Sequence, residues 1–400
     1  MPPQATTEPD AAAHALSDEG QFIMDVQGHL LEYDVSRPGS RDDGGFWRAF
    51  PQAGCDAADP RSCFDTEHFL TDVFLQSDTS LVVLSAVPLF GPDNPLSIEV
   101  MERTRRTMAA LCQGTDRVLL HGQAAPSVGD PARALDGMAK LAAEHPIVAW
   151  KTYTHSPAGA GYFLDDHDRS APQVGAAMLR HAVALKKPIV CVHKGFGGGS
   201  RFASPVDIGP AAAANPDVKL VVYHSGYETA TTEGSYAPAT ADQGVNRLIS
   251  SLKRAGIGAG QNVYAELGST WRAVMGDPDQ GAHVLGKLLR YVGEDNVLWG
   301  TDSIWYGSPQ DQIQAFRAFA ITATFQERYG YPELTPERKA KILGLNAAKL
   351  YGVEPKKVSC PFTPQQLQAA REAAPASFPV YGPTTATAVR ELQAAHAGWL

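Results

Sequence analysis

Eight short apolar, β-branched runs recur between Phe22 and Thr301, with helix-like stretches between most of them. The runs are Phe22–Val26, Leu81–Val87, Arg117–His121, Ile147–Tyr153, Pro188–His193, Lys219–His224, Asn262–Leu267 and Asn296–Thr301. Amphipathic segments such as Ile98–Cys112, Pro131–His145, Val174–Lys186, Asn246–Ala255, Ala282–Val292 and Pro309–Tyr329 follow most of them. A near-continuous apolar strand is buried on both faces, and parallel neighbours need a crossover long enough to hold a helix. Strand–helix alternation repeated eight times is the pattern of a (β/α)₈ barrel, an α/β fold. A doubly wound open sheet would satisfy the same alternation. The barrel is the better reading because polar residues close several of the runs, and a parallel barrel turns all its C-terminal strand ends into one mouth.

The chain divides into an N-terminal arm over 1–21, a barrel over 22–352 and a helical C-terminal extension over 353–400. The arm is rich in Ala, Pro and acids and lacks a basic start followed by an apolar stretch, so it does not read as a signal peptide. Between the first two strands a long first βα loop, Leu30 to Ser80, is expected to serve as a lid or pocket wall. Helices are expected in the extension over Pro364–Ala373 and Thr384–Ala397. A net charge of −9 argues against a nucleic-acid binder. No apolar run approaches the ~18 residues of a membrane span. The five cysteines, Cys55, Cys63, Cys112, Cys191 and Cys360, are odd in number, scattered and without a C-x-x-C pair. Neither a zinc finger nor a disulfide scaffold is expected, and a reducing cytoplasm is the simplest setting.

The strand ends carry the chemistry. The first offers Gln27 and His29, two apart and so on one side of the strand. Lys151 closes the fourth, His193 the fifth, His224 the sixth, Glu266 the seventh and Asp302 the eighth. Histidine is the commonest protein metal ligand and carboxylates are frequent companions. One such residue is more often a satisfied core group, whereas three His and an Asp at four separate strand ends point to a metal site. Glu266 has three readings: a ligand, a group orienting the ligands, or a partner for Arg272.

The order Gln27-x-His29, Lys151, His193, His224 and Asp302 resembles the amidohydrolase superfamily, in the amidohydrolase-related branch that includes metal-dependent decarboxylases. The phrase Lys341-Ile342-Leu343-Gly344-Leu345-Asn346-Ala347-Ala348 is similar to that branch's last-helix signature. The resemblance covers about Phe22 to Gly352. It implies a barrel with one or two metals held by the strand-one pair, His193, His224 and Asp302. Lys151 stands where some members carry a carboxylated lysine that bridges two metals; as an ordinary cation it would pair with Asp302 or a substrate anion. The chain departs from the pattern at Gln27, which stands where the first His of a His-x-His pair is expected. An amide oxygen is a harder and weaker donor than imidazole, and mixed His, carboxylate and amide sets suit iron or manganese better than zinc.

A narrower likeness lies in Asp25–His29, Trp150–Thr154, His193-Lys194-Gly195-Phe196, Tyr223-His224-Ser225-Gly226 and Trp299–Gly307. These phrases look like a TIM-barrel group that includes the non-haem diiron monooxygenase of platensimycin and platencin biosynthesis. That likeness implies two iron ions, dioxygen as co-substrate, an electron donor, and hydroxylation of a bulky apolar, coenzyme-A-linked acid. The competing expectation is a hydrolase or decarboxylase, with zinc or manganese as the alternative metal. There His224 or Asp302 would act as base, or the metal would stabilise a carbanion. A barrel with a decayed site, used as a scaffold, is the third. Beside a small-molecule substrate, no nucleic acid or membrane partner is expected, and self-association into a homo-oligomer is left open.

The loop Lys194-Gly195-Phe196-Gly197-Gly198-Gly199-Ser200-Arg201 has Gly-rich backbone and two cations, Lys194 and Arg201, that could hold a pyrophosphate such as that of coenzyme A. A mouth loop whose glycines allow positive φ is the plainer reading. Asp165-Asp166-His167-Asp168 reads as a turn capping the next helix. Ser303, Trp305 and Tyr306 are expected to shape the pocket, and His121 to be a hydrogen-bonding residue. Nothing around Ser225 forms a nucleophile elbow, which argues against a Ser-His-Asp hydrolase.

Overall fold

The computed structural model describes residues 21–32, 60–90, 94–155 and 160–372. Most of the N-terminal arm, the central part of the long first loop and the expected helix Thr384–Ala397 lie outside these residues. Eight parallel strands follow one another in spatial order: β1 Met24–Gly28, β2 Leu81–Leu84, β3 Val118–Gln123, β4 Ile147–Tyr153, β5 Ile189–His193, β6 Lys219–Tyr223, β7 Val263–Glu266 and β8 Val297–Leu298. The segment after β8 returns to β1: Val26 N–H donates to Trp299 O at 3.1 Å, Asp302 N–H to Gln27 O at 3.1 Å, and His29 N–H to Ser303 O at 2.6 Å. That contact closes the sheet and decides for the barrel over the open sheet.

Strand alternation sorts the side chains into two layers. Val82, Leu84, Leu120, Trp150, Val190, Val192, Leu220, Val222 and Ala265 face the surrounding helices. Met24, Val26, Leu81, Val83, Ala149, Cys191, Val221, Tyr223 and Leu298 fill the barrel interior. Lys151 and His193 lie two residues beyond Ala149 and Cys191, so they continue the interior face upward into the mouth. Ala347 belongs to the interior cluster, and Leu350 and Tyr351 pack against it from the helix Asn346–Tyr351.

The outer helices match the amphipathic segments. They include Ile98–Leu111, Pro131–Glu144, Gly175–Ala184, Asn246–Ala255, Pro278–Tyr291 and Gln310–Ala318. Side-chain caps start several of them: Ser97, Asp130 and Asp277 each accept a backbone N–H of the first turn. The expected turn at 165–168 also caps, because Asp166 accepts from Gly175 N–H at 2.9 Å and Ala176 N–H at 3.1 Å. Among the described residues no helix is long and apolar enough to cross a membrane.

The cysteines depart from expectation. Cys112 and Cys360 form a disulfide across 248 residues, with Cα atoms 4.4 Å apart, and Cys63 is also disulfide-bonded. Scattered spacing hid a pair that only the docking of the extension against the helix Ile98–Leu111 brings together. The cysteines therefore no longer speak for a reducing compartment.

Candidate metal centre at the barrel mouth

Asp25 sets the geometry of the first and last strand ends. Its Oδ1 accepts Gln27 N–H at 2.9 Å and Thr301 N–H at 3.1 Å, and its Oδ2 accepts the Thr301 hydroxyl. Burial raises the Asp25 carboxyl to about 7, partly offset by these hydrogen bonds. One side chain thus fixes Gln27 on β1 and the residue before Asp302 on the other side of the closure.

Asp302 is the hub. Its Oδ1 accepts Gln27 Nε2 at 2.8 Å and Trp305 Nε1 at 3.2 Å, and lies 3.1 Å from His29 Nε2. Its Oδ2 accepts the Ser269 hydroxyl at 2.6 Å, which in turn lies 2.8 Å from Tyr306 OH. Burial alone would raise the Asp302 carboxyl, but the imidazoles of His29 and His224 beside it and the Ser269 hydroxyl outweigh burial and hold the group well below its ordinary value.

Two histidines have their orientation set by backbone carbonyls. His29 Nδ1 lies 2.7 Å from Ser85 O, and His224 Nδ1 lies 2.7 Å from Gly268 O. A carbonyl only accepts, so each Nδ1 carries the hydrogen, and the second nitrogen, Nε2, is turned toward Asp302 in His29. This is the way metal-ligating imidazoles are usually oriented. Burial presses the His224 imidazole down to about 4, with Asp302 opposing and Lys151 reinforcing the shift. His193 is pressed well below its ordinary value by burial and then by His224. Neutral imidazole is the form that ligates metal.

Glu266 acts on backbone. Its Oε2 accepts His224 N–H at 2.9 Å and its Oε1 accepts Gly268 N–H at 2.5 Å. Burial raises its carboxyl to about 8. Of its three readings the orienting one describes these contacts; Arg272 pairs instead with Asp311 at 3.0 Å. A methyl group at Gly268 would stand 2.3 Å from Gln27 Oε1 and 2.4 Å from Glu266 Oε1, so only glycine fits there. His224, Ser269 and Asp302 adopt positive φ of 61°, 53° and 61°. Such conformations cost on the order of 1–3 kcal/mol each and persist where the surroundings over-determine them, commonly at functional sites.

Lys151 is fully buried, and its Nζ has no hydrogen-bond partner. It sits 3.4 Å from the centroid of the Tyr223 ring and 4.9 Å from that of Tyr153. Burial lowers its ammonium to about 7, with Cys191, Asp302 and Glu266 pulling back. Trp305 stacks on His29 at 5.4 Å, Phe196 packs edge-on to His224 at 5.1 Å, and Tyr153 lies 5.1 Å from His193. The pocket-shaping reading of Trp305 and Tyr306 agrees with these contacts.

The glycine-rich loop follows the plainer of its two readings, with Gly195, Gly198 and Gly199 at positive φ of 100°, 55° and 87°. The Lys194 ammonium is buried against the Asp207 carboxylate at 2.9 Å and donates to Phe202 O at 2.8 Å, so it is not presented to a phosphate. Arg201 is more than half exposed and pairs with Asp168 at 2.5 Å. His121 is a core hydrogen-bonding residue between Ser85 Oγ at 2.8 Å and Tyr351 OH at 3.0 Å. Ser225 donates to Glu266 O at 2.7 Å. Sequence reasoning gave Asp25 no role of its own within the first motif and passed over Ser269 and His155, which stands four residues past Lys151.

Among the described residues no three His, Cys, Asp or Glu side chains already stand around a common point as a closed coordination shell. The donor chemistry nevertheless fits a metal. Gln27 Oε1, Lys151 Nζ, His155 Nδ1 and His193 Nδ1 are all buried without a hydrogen-bond partner. Buried polar atoms are rarely left unsatisfied, and four in one mouth beside Asp302 mark a place made for a bound group.

A family model described as amidohydrolase matches residues 61–353. No curated protein matches the chain. An uncharacterized TIM-barrel protein from Bordetella bronchiseptica superposes with a TM-score of 0.53 at 14% identity, covering 82% of this chain and 98% of that one. A 2,6-dihydroxybenzoate decarboxylase, complexed with 2,6-dihydroxybenzoate, gives 0.48 at 15% identity, covering 83% and 100%. A zinc-bound amidohydrolase from Burkholderia multivorans gives 0.42 at 13% identity, covering 83% and 100%.

Proposed function

The chain belongs to the amidohydrolase family, whose members are metal-dependent enzymes, and on that premise we propose that it is a non-haem dinuclear iron monooxygenase that hydroxylates a bulky apolar acid. The observation that carries this reading is Gln27. It puts a buried, unpartnered amide oxygen at the strand-one position where a histidine is expected. With the Asp302 carboxylate beside it, that half of the site is rich in oxygen donors, which favours iron or manganese over zinc.

Gln27, His29, His193, His224 and Asp302 would hold the metal, with Lys151 next to them. Bound iron supplies activation of dioxygen. One oxygen atom enters a C–H bond of the substrate and the other leaves as water, with two electrons and two protons from an external reductant. The chain's own residues prepare the reaction. Phe196, Tyr153 and Trp305 wall the mouth with rings, which suits an apolar substrate and excludes water. Lys151, poised near 7, can hold or release a proton at Nζ within the working pH range. Since Lys194 is committed to Asp207, only Arg201 of its loop is left to meet a coenzyme A pyrophosphate. The substrate class remains a bulky apolar acid, free or coenzyme-A-linked.

Metal analysis of protein purified without added metal tests the reading. About two irons per chain are expected. Zinc at one per chain would replace it with a hydrolase or decarboxylase, in which metal-bound water or the metal itself serves the carbonyl chemistry. No tightly bound metal would leave the scaffold reading.

A further inference from the structure

Two neighbouring rings at the mouth each bury a nitrogen that, among the described residues, no group satisfies: Nδ1 of His155 and Nδ1 of His193. His155 follows β4 by two residues and rests against His193, ring centroids 4.8 Å apart at 49°. His193 in turn meets His224 edge-on at 4.5 Å. The other histidines of the barrel interior differ in this respect. His29, His121 and His224 each anchor Nδ1 on Ser85 or Gly268. A histidine that merely packs in a core normally finds a protein partner for its buried nitrogen. Two adjacent imidazoles that both fail to, and that do not satisfy each other, call for a ligand from outside the chain.

The spacing leaves room for a shared metal ion. Two imidazoles bound to one ion, with metal–nitrogen bonds of about 2.1 Å, hold their ring centroids on the order of 5 Å apart. Both ring pairs stand near that separation. Gln27 and Asp302 bring oxygen donors beside His29, and His155, His193 and His224 adjoin one another ring to ring.

We propose that His155 is a metal ligand, joining His193 and His224 in the centre at the barrel mouth. This rests on the reading of the mouth as a metal site. Side-chain rotation closes the shell, since no three donors stand around one point beforehand. The inference assigns a ligand outside the strand-end set.

Chelator-stripped protein titrated with Co²⁺, read by calorimetry and by visible absorption, tests it. Wild type, His155→Ala and His155→Gln are compared, with circular dichroism as the check on folding. The expected result is loss of one binding step, or its weakening by at least about tenfold, with a changed absorption envelope in both variants. An unchanged isotherm and spectrum in a folded variant overturns the proposal. If the variants fail to fold, anomalous diffraction from Co²⁺-loaded wild-type crystals decides: a peak at the His155 ring supports it, and peaks only elsewhere overturn it. A wild type that binds no Co²⁺ overturns the metal reading of the whole mouth and His155 with it. Metal bound without His155 removes this inference alone.

Discussion

Gln27 donates its side-chain amide to Asp302 at 2.8 Å while its own carbonyl oxygen stays buried without a partner. One residue therefore orients the strand-eight carboxylate and offers an oxygen of its own. A histidine at this place would keep the bond to Asp302 or the free lone pair toward a metal, since neutral imidazole has one donor and one acceptor on opposite edges of its ring. Glutamine does both through one planar amide.

Gln27→His should therefore retain the fold and shift metal preference toward zinc. Metal analysis of the variant beside wild type, grown in identical medium, reads the iron-to-zinc ratio. A ratio and total that do not move would show that Gln27 is no ligand, and the oxygen-rich reading of this half of the site would fall.

Lys151 gives a pH signature. Burial lowers its ammonium from 10.5 to about 7, so between those values the unfolded chain holds a proton that the folded chain has released. Stability then rises with pH through that window, and the cost of burying Lys151 is greatest at and below its lower edge. In chelator-treated protein Lys151→Met should melt above wild type at about pH 7, with the gap closing toward about pH 10. Thermal unfolding followed by circular dichroism checks this. A gap independent of pH would mean that Lys151 is not held as a desolvated amine.

The barrel was legible because apolar strand runs and amphipathic helices carry their own periodicity. The strand ends followed from it, and Lys151, His193 and His224 stand where the runs place them. What stayed hidden depends on closure in three dimensions. Asp25 was within the first motif, yet its bonds to Thr301 exist only because β1 meets the segment after β8. Lys194 looked like a phosphate-binding cation because sequence shows a charge but not its partner thirteen residues on. For Glu266 the sequence leaves three roles open, and its bonds to the His224 and Gly268 N–H groups exist only where β7 meets the end of β6.

Lys194 and Asp207 form a fully buried pair, with Asp207 also accepting Leu164 N–H at 2.8 Å. Removing one partner of such a pair leaves an uncompensated charge and costs about 3–5 kcal/mol. Lys194→Met should show that loss in urea unfolding. Adding Asp207→Asn, which keeps an acceptor for Leu164 and removes the charge, should recover most of it. Metal content should be unchanged in both. A single variant as stable as wild type would show that the ion pair does not hold this loop.

The Cys112–Cys360 bond ties the C-terminal extension to the end of the helix Ile98–Leu111 and closes a loop of 248 residues' separation. A cross-link of this kind stabilises mainly by restricting the unfolded chain, typically by roughly 2–4 kcal/mol, and the long loop places it toward the upper part of that range. Cys112→Ser and Cys360→Ser should each lower the denaturant midpoint, and the double variant should cost no more than either alone, because the first substitution already opens the bond. Reductant should lower the wild-type midpoint by more than the double variant's, which keeps only the disulfide of Cys63. Cys191 is buried in the barrel interior with a free thiol, and burial raises that thiol to about 11, so it offers little thiolate to exchange with the bond. Alkylation before cell lysis, read by mass, then reports where the protein matures: blocked Cys112 and Cys360 mean a reducing compartment, and unblocked ones mean that the clasp forms in the cell. A wild-type midpoint indifferent to reductant would show that docking of the extension, not the covalent bond, carries the stability.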